Sequence, residues 1–101
     1  MNRIIEQNLA EVRALCQKYH VQKLELFGSA VEQSFDPISS DVDFLVEFPS
    51  MDSSTHSNAF FGLLADLKLL FNREVDLLES RMVDNPYFLA AIKPTRKVIF
   101  G

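Results

Sequence analysis

Seven residues, Val42 to Phe48, constrain this chain more than any other stretch. In VDFLVEF, Val42, Phe44, Val46 and Phe48 point one way, and Asp43, Leu45 and Glu47 point the other. Pro49 then closes the run, because it has no N–H to give a sheet ladder. A strand with one wholly apolar face needs a cover, and a helix from the same chain is the cheapest one. Two further stretches read as strands, 21–27 (VQKLELF) and 74–79 (EVDLLE), and 97–100 reads as a short final one. Between them, helical spacing of apolar residues predicts an amphipathic helix over 2–19 and a strongly apolar one over 57–71. Ser29-Ala30-Val31-Glu32 fits a capping box and predicts a short helix starting at Ser29. Residues 35–40 read as a loop, 49–57 as a polar loop containing His56, and 80–92 as helical or irregular with an interruption at Pro86. The expected fold is α/β (α+β): a small mixed β-sheet flanked by helices, in a single domain over 1–101.

Composition enters where it excludes functions. The 101 residues include 48% hydrophobic ones and nine Phe, enough for one core and little more. A formal net charge of −4 with no basic cluster argues against direct polynucleotide binding, whose affinity comes mainly from Lys and Arg neutralising phosphates. A mononucleotide or a protein partner fits better, and so small an interior leaves room for self-association. The lone cysteine, Cys16, permits neither an internal disulfide nor a thiolate zinc site. No apolar run approaches a membrane span and the first residues do not read as a signal peptide, so a cytoplasmic location is expected.

The chemistry centres on Gly28-Ser29 followed by Ser40-Asp41-Val42-Asp43. Asp41 and Asp43 are two apart at a strand start, so both carboxylates share one face. Two such charges raise each other's pKa unless a cation lies between them. Hard carboxylate oxygens suit Mg²⁺, which completes its shell with water and substrate phosphates. Asp76 sits between Val75 and Leu77 in another apolar strand, where a carboxylate is costly unless paired or metal-bound. If the two strands are neighbours, three carboxylates converge, with room for two ions about 4 Å apart. Gly28 permits a sharp turn and close approach by a phosphate. Ser29, at a helix start, offers free N–H groups and a hydroxyl to an anion.

Taken together, LFGSA, SSDVDFLVEF and EVDLLE resemble the minimal nucleotidyltransferase (MNT) domains of the DNA polymerase beta-like superfamily. The likeness covers residues 24–79 well and the flanks loosely. It implies Mg²⁺-dependent transfer of a nucleoside monophosphate from a nucleoside triphosphate, with ATP as the expected substrate. By motif match, Gly28, Ser29 and Ser40 would bind the nucleotide. Asp41, Asp43 and Asp76 would hold the metal ions, with Asp76 also activating the acceptor hydroxyl. Small stand-alone bacterial members resemble antitoxins that transfer AMP to a tyrosine of a HEPN-domain toxin, so a HEPN partner is expected. One departure stands out. Many such domains carry an Arg shortly after the Gly-Ser pair, where this chain has Ala30-Val31-Glu32-Gln33. Glu32 puts negative charge beside the phosphate position, and a capping box with Ser29 would use the same N–H groups. The alternative expectation is therefore a catalytically weak module that neutralises a HEPN partner by contact alone. Transfer to a small molecule is less favoured, since little chain is left for a separate acceptor-binding domain.

Each signal also has a plainer reading. Asp41 and Asp43 could mark a solvated strand start, Ser29 a simple N-cap and Asp76 an edge residue facing water. Arg13 and His20 read as a surface pair on one helix, Cys16 as core, and the 60–71 aromatic stripe as core with a part free for a partner.

Overall fold

The computed structural model describes residues 3–28, 31 and 41–101. A four-stranded sheet forms its centre, with β1 (Lys23–Phe27), β2 (Val42–Glu47), β3 (Val75–Glu79) and β4 (Lys97–Phe100) in the order β3-β2-β1-β4. β2 and β3 run parallel, while β1 is antiparallel to both β2 and β4, so the sheet is mixed as expected. The parallel pair follows from the crossover between them. That crossover is α3 (Ser53–Phe71), which packs on the face predicted for it.

Its buried residues are Ala59, Leu63, Leu67 and Phe71, one every four positions, against Val42, Phe44 and Val46. Phe44 and Phe71 meet with ring centroids 6.2 Å apart. Two shorter helices, α1 (Arg3–Gln7) and α2 (Leu9–Lys18), join the same layer through Ile5, Val12 and Cys16. Burial pushes the Cys16 thiol up to about 12, which makes it an inert core residue. α2 is clamped to α3 where Tyr19 Oη donates to Asp66 Oδ2 at 2.5 Å, with Lys18 3.2 Å from the same oxygen.

Several boundaries differ from expectation, the clearest for local reasons. The helix expected over 2–19 is split at Asn8, whose side-chain amide donates to Ile4 O at 2.8 Å and competes with the helix ladder. His20 lies past the end of α2 with φ 59°, and Arg13 donates to Ile99 O, so they form no helical pair. α3 begins at Ser53 rather than 57, because Asp52 caps it: its carboxylate accepts from Thr55 N at 2.9 Å and from Thr55 Oγ1 at 2.8 Å. His56 is thus on the first turns of α3, not in a loop. The predicted helix at Ser29 and the loop over 35–40 lie outside the described residues.

The second face of the sheet is covered by α4 (Pro86–Ile92). Pro86 starts this helix instead of interrupting one, as its missing N–H is harmless in the first turn. Asn85 Oδ1 caps it, accepting from Tyr87 N and Phe88 N. Short 3₁₀ turns flank it at Ser80–Met82 and Lys93–Thr95. Phe27, Leu45 and Ile92 are buried here with Phe88 and Leu89 packed on them, and Phe88 meets Phe27 edge to face at 5.9 Å. Among the described residues, no helix is long and apolar enough to cross a membrane.

Candidate active site

On the α4 side of the sheet, the row of side chains at the start of β2 and β3 is acidic. Asp43 and Asp76 are register partners in the parallel pair. Partners in adjacent strands project to the same face, so these two carboxyls meet, and they hydrogen-bond each other. The next partner in the row, on β1, is Phe27. Asp41 precedes β2 and is exposed, as is Asp76, while Asp43 is half-buried.

This placement costs Asp43 its ordinary acidity. Burial, then the hydrogen bond and charge of Asp76, then the charge of Asp41, raise its pKa to about 6. Among the described residues, no three acidic or imidazole side chains are already closed around one ion position. The donor set still fits Mg²⁺, which needs only one or two carboxylates when phosphates complete its shell. A divalent cation would relieve the Asp43–Asp76 conflict that the fold has built in.

Gly28 ends β1 beside this pair, with φ +78°. The chain turns at once, since Val31 N donates to Gly28 O at 3.1 Å. A Cβ on Gly28 would stand 2.6 Å from Asp43 Oδ2, so the missing side chain is what admits the carboxylate. The Gly28 N–H donates to Thr95 Oγ1 at 3.1 Å, and that hydroxyl donates in turn to Ile92 O. The 3₁₀ turn after α4 thereby braces the chain at Gly28. The Gly28 N–H is thus already engaged within the protein. Ser29, Ser40 and Glu32 lie outside the described residues. Gly28→Ala should destabilise the protein by about 1–3 kcal/mol, through strain at positive φ and the clash with Asp43. A thermal melt checks this; an unchanged midpoint would mean the turn tolerates a side chain.

Sequence reasoning missed two supporting features. Glu25, on the same sheet face, is the one buried charged residue among those described, at 6% exposure. It is held by Arg96 through bonds of 2.8 and 2.9 Å, with Lys23 3.3 Å away. Thr95, next to Arg96, carries no motif. The only signal for either was Glu25 in the middle of an apolar strand, which implies a cationic partner without saying which. On the other face, His56 contacts the Glu79 carboxylate through Nε2 and stands edge-on to Phe48.

Residues 11–99 match the family described as Nucleotidyltransferase domain. The chain belongs to that family. It is 31% identical over 83 residues to a candidate protein adenylyltransferase of Methanocaldococcus jannaschii, covering 80% of this chain and 79% of that one. The same fold appears in a chain from the Shewanella oneidensis complex of tri-AMPylated HEPN toxin with MNT antitoxin (TM-score 0.65, 20% identity, 95% of this chain and 71% of that one). It appears again in a toxin–antitoxin structure with AMP-PNP (TM-score 0.69, 21% identity, 93% of this chain and 73% of that one). The nucleotidyltransferase reached from Gly28, Asp41, Asp43 and Asp76 is therefore the family found by overall similarity.

Proposed function

We propose that this nucleotidyltransferase moves AMP from ATP to a hydroxyl of a HEPN-domain protein, in the cytoplasm, as the antitoxin of a toxin–antitoxin pair. The observation that carries this reading is the register match of Asp43 with Asp76 beside Gly28. The names of the relatives supply the direction: one is a candidate protein adenylyltransferase, and another structure holds an AMPylated HEPN toxin with its antitoxin.

In the reaction, the acceptor oxygen attacks the α-phosphorus of ATP. The bond from that phosphorus to the bridging oxygen breaks, and pyrophosphate leaves with the electron pair. Asp76, exposed at the sheet edge, accepts the proton of the attacking hydroxyl. Asp43 on β2 and Asp41 just before it would hold Mg²⁺ with Asp76. The ion, when bound, neutralises charge developing on the phosphoryl group. Gly28 keeps the turn open for the triphosphate, with Ser29 and Ser40 as further nucleotide ligands.

A role by contact alone is not favoured. It gives no reason for two carboxylates in neighbouring strands to be pressed together at a cost to stability. Purified protein with labelled ATP, Mg²⁺ and the product of its neighbouring gene should label that partner. Asp41→Asn with Asp43→Asn should abolish the label. A double variant that still neutralises its partner fully would transfer the role to contact.

A further inference from the structure

The bond between the Thr95 hydroxyl and the Gly28 N–H lies where β1 gives way to the turn beside the acidic pair. We infer that Thr95 is a positioning residue for nucleotide binding: its hydroxyl fixes the backbone at Gly28 in the conformation that a triphosphate meets. This rests on the nucleotide-binding part of the reading above and adds the residue, far away in sequence, that sets its phosphate side.

β4 pairs with β1 at Glu25↔Val98 and Leu26↔Lys97. Continued in the same register, residue 95 would stand opposite Gly28. The ladder stops short of that, because Lys93–Thr95 curl into a 3₁₀ turn and Arg96 N donates back to Ile92 O at 3.0 Å. The Gly28 N–H is met instead by the Thr95 hydroxyl, at 3.1 Å, in the place of a strand carbonyl. The direction of this bond is fixed as well. The hydroxyl has one proton and gives it to Ile92 O at 2.9 Å, so toward Gly28 it can only accept.

Gly28 stands at φ +78°, and a glycine reaches many other conformations as readily, so this one has to be held. The bond from Val31 N to Gly28 O closes the turn on itself, whereas the bond to Thr95 ties it to another element. Asp43 needs no such tie, being set by its register with Phe27 and Asp76. Loss of the Thr95 hydroxyl therefore weakens nucleotide binding more than it slows turnover.

Two variants test this. Thr95→Val keeps the branched shape and removes the acceptor, whereas Thr95→Ser keeps the acceptor. The chain has three Gly, so ¹⁵N-glycine labelling follows the Gly28 amide directly. Its hydrogen exchange should quicken about tenfold in Thr95→Val and stay near the parent rate in Thr95→Ser, with Gly62 unchanged in both. Calorimetry with Mg²⁺ and α,β-methylene ATP should show about tenfold weaker binding to Thr95→Val, as for one lost hydrogen bond, and restored binding to Thr95→Ser. In the transfer assay, the KM for ATP should rise by a similar factor in Thr95→Val with kcat little changed. An unchanged Gly28 exchange rate, parent-like nucleotide affinity in Thr95→Val, or a Thr95→Ser variant as weak as Thr95→Val overturns the role of Thr95. A parent that binds no nucleotide overturns it together with the reaction. A parent that binds the analogue, loses it on Thr95→Val and yet transfers AMP to no protein keeps Thr95 and sinks the reaction.

Discussion

Asp43→Asn should lower AMP transfer about a thousandfold and, at neutral pH without metal, make the protein more stable. The loss of activity follows from removing a charge placed where phosphoryl-transfer chemistry needs a cation held. The gain in stability follows from linkage. The Asp43 pKa is raised from 3.8 to about 6, chiefly by burial and then by Asp76 and Asp41. A folded-state pKa above the unfolded one means the folded protein binds the proton more tightly. Any stabilisation is then complete below about pH 4 and lost as pH rises through about 6. At pH 7.5 the ionised Asp43 works against folding. Solvent reaches the half-buried group and screens the effect, so about 1 kcal/mol is expected, or roughly 4–8 °C in Tm for a domain this small. Asn keeps the volume and drops the charge. Thermal melts at pH 7.5 and pH 4 check the sign: the advantage should be present at the first and gone at the second. Mg²⁺ with ATP should raise the Tm of the parent more than that of the variant. A variant no more stable than its parent at pH 7.5 would mean that the acidic pair carries no electrostatic cost, and the case for a cation would weaken with it.

What the sequence disclosed about this site depended on side-chain period. Alternation in VDFLVEF put Asp43 on the face opposite Val42, Phe44 and Val46, and the structure keeps that split, with α3 on one side and α4 on the other. That Asp43 and Asp76 would meet required β2 and β3 to be neighbours, which spacing alone left open; the parallel crossover through α3 decided it. Boundaries were harder, because caps act through single hydrogen bonds. Asp52 looked like one more polar loop residue, yet it starts α3 four residues early and carries His56 onto a helix. Pro86 looked like a breaker and is a helix start. The Glu25–Arg96 pair spans 71 positions, and no local pattern joins residues so far apart.

That long-range pair gives the largest stability effect expected from a single polar substitution. Arg96→Met should destabilise the protein by about 3 kcal/mol, since it leaves a buried carboxylate without its main partner. Lys23, 3.3 Å from Glu25 Oε1, keeps the figure at the low end. The hydrogen bonds and charge of Arg96 hold the Glu25 pKa below its usual value. The stability they contribute is present above the ordinary carboxylate range and lost as pH falls through the lowered folded value. Urea denaturation at pH 7 should therefore separate parent and variant fully, and the gap should narrow in acid. Replacing both partners with apolar residues, Glu25→Leu with Arg96→Met, should recover most of the loss, because no charge is then left buried. The effect should also reach the active site. Arg96 follows Thr95, whose hydroxyl holds the Gly28 N–H, and Gly28 in turn admits the Asp43 carboxylate. If Arg96→Met weakens folding but leaves AMP transfer by the folded fraction untouched, the turn at Gly28 is set by β1 alone, and the α4 side of the sheet only covers the core.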